Sequence, residues 1–180
     1  MLKAFPGARR SGFTLVELMV AIVIVSILVG LALPSFLETL RNAEIRNAAE
    51  SVANGLQRAR AEAVARNANV QFVLGAGSSW TVDYVIKPVL ADPPIDSRSS
   101  TEGSRNVTVV ALAADLTTAA TTITFNNLGQ VVPNAASLAR VDLAAVGGNQ
   151  NLRVTIGAGG NAKMCDPNLA VTTPPNPRAC

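Results

Sequence analysis

The feature that most limits what this chain can become is the stretch from Arg9 to Phe36, RRSGFTLVELMVAIVIVSILVGLALPSF, a long apolar run broken early by one glutamate, Glu17. Apart from Glu17, no charged residue occurs from Ser11 to Leu37. A helix rises about 1.5 Å per residue, so about 20 to 25 such residues cross the hydrocarbon core of a bilayer. Lys3, Arg9 and Arg10 all precede the run, which predicts a cytoplasmic N-terminus and places everything after Pro34 outside. A cleaved secretory signal fits poorly, because the run exceeds the usual apolar core of about 7 to 15 residues and no small-x-small site follows it. A plain signal anchor accounts for the length and the arginines. It leaves Glu17 unexplained, since a carboxylate in lipid costs on the order of a few kcal/mol unless something pairs with it.

The remaining composition suits one membrane segment and one modest outer domain, given 180 residues with 49% hydrophobic content. Three of the 15 basic residues lie before Gly12, and the other 12 balance the 12 acids. The calculated pI of 9.3 therefore says little about nucleic-acid binding by the rest of the chain. The absence of histidine removes the commonest general base, the His-dependent triads and most zinc sites. Two cysteines, Cys165 and Cys180, flank a Pro-rich stretch. A disulfide in an oxidising compartment is the leading expectation for them, ahead of two free thiols or a metal or redox pair.

Downstream, Pro34 lacks an amide hydrogen, which predicts a kink or local melting around Gly30 to Pro34. The helix is then expected to resume, because Ile45, Ala49, Val52, Leu56, Ala59 and Ala63 form one apolar stripe between polar residues. That stripe suits packing on the chain's own sheet better than a free coiled coil. Gly55 is a weak point by propensity. After Asn67 the composition turns to Val, Thr, Gly and Asn. VQFVL (70–74) and WTVDYVI (80–86) read as a hairpin around GAGSS, the second with Trp80, Val82, Tyr84 and Ile86 on one face. Residues 87–104 hold three prolines and no period, and read as a surface loop. NVTVVAL (106–112), TTITF (121–125), QVV (130–132), ARVDLAAV (139–146) and NLRVTI (151–156) complete the strand signals. NNLG, VGGN and GAGG stand where tight turns belong.

The segment Gly12, Phe13, Thr14, Leu15, Val16, Glu17 after a short basic leader resembles the processing site of type IV pilins and type II secretion pseudopilins. The resemblance implies that a prepilin peptidase cuts between Gly12 and Phe13 and that the new amine of Phe13 is methylated. It makes Glu17 the assembly residue, its carboxylate pairing with a neighbour's amine in a low-dielectric bundle. Helix capping by Glu17 is the structural alternative. FNNLGQV (125–131), RVTIGAGGNAKMCDP (153–167) and the helix end SVANGLQRARAEAVARN (51–67) resemble the GspH/FimT family of minor pilins and pseudopilins. The ending CDP…PRAC looks more like pilus members than the secretion member.

The resemblance and the pattern together predict an α+β, pilin-like fold, in which a long N-terminal helix, membrane-spanning in its first half, packs on an antiparallel β-sheet domain. The expected organisation is a leader at 1–12, a transmembrane and assembly half-helix at 13–36, an amphipathic half at 37–67, and a periplasmic β-rich domain with a disulfide-closed tail at 68–180. Expected partners are prepilin peptidase, other pilins or pseudopilins and the inner membrane, with no cofactor, no metal and no enzymatic activity. Some relatives are linked to DNA uptake through a Gly-Arg-x-Arg turn. Here Gly160, Asn161, Ala162 and Lys163 occupy it, so both arginines are replaced and one cation survives. Lys163, Arg153 and Arg178 are the DNA-contact candidates, should the disulfide fold the tail back. A second basic group, Arg58, Arg60 and Arg66, lies at the helix end. A single lysine does little against counterions at physiological salt, so scaffold is the favoured reading.

Overall fold

The computed structural model describes residues 12–89, 91–172 and 176–180. The leader's Lys3, Arg9 and Arg10 and part of the Pro-rich stretch between the cysteines lie outside the described residues. The chain divides into two units, one ending at Leu37 and the other running from Glu38.

One helix, α1, runs Leu15–Ala65. Thr14 caps its start: the Thr14 carbonyl accepts from Leu18 N–H at 3.1 Å and Thr14 Oγ1 accepts from Glu17 N–H at 3.2 Å. Residues 30–34 are helical with Pro34 inside, so the expected local melting is absent. The proline ring removes one amide donor, and the rest of the ladder continues past it. At the other end Asn67 takes φ 49°, Asn67 N–H reaches Val64 O and Ala68 N–H reaches Ala63 O. This left-handed stop suits asparagine, whose short polar side chain tolerates positive φ.

The unit from Glu38 onward carries eight strands: β1 Val70–Leu74, β2 Trp80–Tyr84, β3 Asp96–Arg98, β4 Val107–Ala113, β5 Thr122–Phe125, β6 Leu138–Ala145, β7 Leu152–Ile156 and β8 Ala162–Cys165. They form two four-stranded sheets, ordered β3-β2-β1-β5 and β4-β6-β7-β8, with every pair antiparallel. Two elements depart from the sequence reading. Within the expected loop at 87–104, Asp96–Arg98 adds β3 to the edge of β2 through backbone pairing, which polar side chains do not advertise. Residues 162–165 follow the expected GAGG turn as β8, opposite β7. The expected strand at 130–132 is reduced to a bridge between Val131 and Phe125. Ile86 lies beyond the end of β2 and is exposed.

All six stripe residues, Ile45, Ala49, Val52, Leu56, Ala59 and Ala63, are fully buried. They share one core with Val70, Phe72, Val82, Ile123 and Phe125 of the first sheet and Leu138, Val141, Leu143 and Val154 of the second. Gly55 turns out to be a contact point: a Cβ there would stand 2.8 Å from Phe72 Cε2 and 2.9 Å from Trp80 Cδ2. Trp80 Nε1–H in turn donates to the buried Ser51 Oγ at 2.8 Å, fixing the indole against the helix.

Candidate functional site

The first unit presents a short, unusual surface. Gly12, Phe13 and Thr14 precede the helix, and Phe13 is 85% exposed. From Gly12 to Leu37 every residue is exposed, the large apolar ones included. This helix is long and apolar enough to cross a membrane. Glu17 lies in its first turn, where a carboxylate faces the positive end of the helix dipole. Only the backbone N–H of Glu17 takes part in the cap; among the described residues no cation or donor pairs with its carboxylate. Capping is therefore the work of Thr14, a signal the T-x-x-E spacing carried, and the carboxylate stays available.

In the second unit the two motifs singled out in sequence meet. The Asn126–Gly129 turn closes with Gly129 N–H on Asn126 O at 2.8 Å, and the β7–β8 turn with Gly160 N–H on Gly157 O at 2.8 Å. Both glycines adopt positive φ, 72° and 79°. A Cβ on Gly160 would stand 2.4 Å from Gly129 O, so both conformation and space demand glycine there. The same Gly129 carbonyl accepts from Arg60 Nε–H at 2.9 Å, tying both turns to the end of α1.

The tail folds back as expected. Cys165 and Cys180 are disulfide-bonded, Asp166 N–H donates to Arg178 O at 2.7 Å, and Ala179 is buried. The three DNA-contact candidates are nonetheless not equivalent. Arg153 is engaged: its Nε–H meets Asp142 Oδ1 at 2.5 Å, while Arg140 Nε–H meets Asp142 Oδ2 at 2.7 Å. Cross-strand register places Asp142 opposite Arg153, a pairing invisible without the sheet. Partial burial pushes the Asp142 carboxyl up, but the hydrogen bonds and charges of Arg140 and Arg153 outweigh it and hold it below the ordinary carboxylate range. Lys163 is exposed opposite Thr155, on the other face of β8 from Met164. Arg178 instead lines a cleft of about 280 Å³ with Met164, Leu152 and Arg46. At the helix end, Arg58 and Arg66 both pair with Glu62, and Arg66 also donates to Tyr84 Oη at 2.6 Å.

Family comparisons agree with this division of labour. A model of the prokaryotic N-terminal methylation motif matches residues 7–33, and one of the type II transport protein GspH matches residues 48–160. No curated protein matches the chain. Two crystal structures of the Pseudomonas aeruginosa (strain PAO1) type IV minor pilin FimU are similar. One is 20% identical, covers 67% of this chain and 87% of that one, and has a TM-score of 0.49. The other is 18% identical, covers 66% and 90%, and has a TM-score of 0.48. The GspH model spans the helix end, both sheets up to the β7–β8 turn and the two touching glycine turns, behind a methylation motif that implies prepilin peptidase processing and pilin or pseudopilin assembly; the chain belongs to the type II transport protein GspH family.

Proposed function

We propose that this protein is a minor subunit of a type IV pilus that helps to start or cap filament assembly. Prepilin peptidase cuts between Gly12 and Phe13 and the Phe13 amine is methylated. The apolar half of α1 anchors the chain once in the inner membrane, N-terminus cytoplasmic and β-rich unit periplasmic, until it enters the bundle of neighbouring helices. There the carboxylate of Glu17 pairs with a neighbour's amine and sets axial register. The observation that carries this reading is the carboxylate of Glu17, without a partner among the described residues, at the capped start of an apolar half-helix that is exposed up to Leu37, within a methylation motif. An unpaired charge there is costly in lipid, whereas a buried pair is costly to break, by about 3 kcal/mol or more. The role is structural, not catalytic.

Mass spectrometry of the membrane-extracted protein tests it: residues 13–180 with a methylated Phe13 amine are expected. A mature chain that keeps Met1 to Gly12, or one beginning after Pro34, would sink the proposal.

The name of the matched family favours a second reading, a minor pseudopilin of type II secretion. A deletion strain separates the two. Loss of surface pili with normal protein secretion supports the pilus, and the reverse supports the pseudopilus. DNA uptake is a third role, for which Lys163 and Arg178 are the remaining candidates, Arg153 being held by Asp142.

A further inference from the structure

Among the described residues, four basic side chains have no carboxylate within ion-pair distance: Arg60, Arg105, Lys163 and Arg178. Arg105, Lys163 and Arg178 are exposed, where water satisfies a charge at little cost. Arg60 is half-buried. Its Nε–H is used on Gly129 O, and the two terminal nitrogens of its guanidinium have no protein acceptor among the described residues. Beside it, α1 and the β7–β8 turn line an open cleft of about 590 Å³, where Ala61, Val64, Ala65 and Ala162 stand beside the polar Gln57, Arg60 and Asn161. On the helix wall Ala61, Val64 and Ala65 form a small apolar strip next to Gln57 and Arg60, and Val64 remains 51% exposed. A Cβ at Gly129 would stand 3.1 Å from Arg60 Nε and Val64 Cγ2, and one at Gly160 2.4 Å from the Gly129 carbonyl oxygen, so glycine at both positions lets the two turns close on α1 beside the cleft.

We propose that this cleft docks an apolar segment of a neighbouring protein chain carrying an aspartate or glutamate, with the carboxylate on the free terminal nitrogens of Arg60. Charge complementarity selects the occupant. A planar guanidinium with one edge already fixed presents its remaining donors in a geometry matched to a carboxylate. The flanking Ala61, Val64, Ala65 and Ala162 gain from covering by apolar side chains on either side of that acid. A purely apolar segment would strip water from Arg60 without replacing its hydrogen bonds, which opposes binding. Nothing in this site depends on the docking of Glu17, so the two can fail separately.

The test uses the full chain in detergent micelles, with its alanine methyl groups followed by NMR during titration with two blocked peptides, acetyl-Leu-Glu-Leu-amide and acetyl-Leu-Gln-Leu-amide. The methyls of Ala61, Ala65 and Ala162 should shift, and the Glu peptide should bind about fivefold more tightly than the Gln peptide at low salt. In Arg60→Gln that preference should vanish while weak binding of both peptides persists. Ala61→Leu, on an exposed helix position, should fill the cleft and abolish both. Equal affinity of the native chain for the two peptides, a preference that survives Arg60→Gln, or no shift at these methyls at about 10 mM peptide would each overturn the proposal.

Discussion

Gly55→Ala sets two effects of comparable size against each other. Helix propensity alone makes alanine better than glycine by about 0.8 to 1.0 kcal/mol inside a helix. The added methyl, however, would lie 2.8 Å from Phe72 Cε2 and 2.9 Å from two Trp80 ring carbons. Carbon atoms in contact prefer about 3.5 to 4.0 Å, so the rings must retreat by more than half an ångström. Neither ring is free to do so. Phe72 is fully buried, its ring centroid 5.9 Å from that of Trp80, and Trp80 is held to Ser51 Oγ at 2.8 Å. Overpacking of this kind costs about 1 to 3 kcal/mol, and loss of the indole hydrogen bond about 1 kcal/mol more. The expected net change is a destabilisation of about 1 to 3 kcal/mol, against the propensity scale. Trp80 is the chain's one tryptophan, so its fluorescence during urea unfolding of the full chain in micelles reports on the contact itself. Gly30→Ala, where a Cβ meets nothing within 4 Å, is the control: only the propensity gain applies there, so it should not lower the midpoint. A Gly55→Ala chain as stable as the native one, with unshifted emission, would refute the reasoning.

Further expectations concern assembly, acid stability and DNA. Glu17→Val should leave the helix start and the β-rich unit intact, because Thr14 Oγ1 caps a backbone N–H that valine also carries; co-purification with filaments should fall sharply, and undiminished incorporation would show that Glu17 is not the docking group. Asp142 titrates below its unfolded value, so its ion pairs contribute fully above about pH 4 and are lost as pH falls through the lower folded value. Asp142→Asn should thus cost about 1 to 2 kcal/mol at pH 7 and flatten the acid arm of the stability profile below about pH 4; parallel native and variant profiles there would argue against it. Duplex DNA should bind the full chain weakly and fade toward physiological salt, with Lys163→Ala shallowing the salt slope by about one unit; tight binding that survives Lys163→Ala with Arg178→Ala would place the DNA surface elsewhere.

What one dimension could carry here was whatever repeats along the chain or sits in a contiguous motif. The uncharged run, the GFTLVE segment, the buried stripe from Ile45 to Ala63 and the alternation in VQFVL are local patterns, because a helix or strand buries one face at a fixed period. Glycine turns were likewise legible, since glycine takes positive φ at no steric cost. Pairing between distant strands was not. The division into two sheets, the polar edge strand β3 and the capture of Arg153 by Asp142 depend on which strands lie side by side, and backbone hydrogen bonds recruit strands without regard to side-chain pattern. The same holds for Gly55, weak by propensity yet required by two aromatic rings. It holds for Arg60 as well, one arginine among several in the sequence, which only the approach of Gly129 and Gly160 sets apart from its ion-paired neighbours.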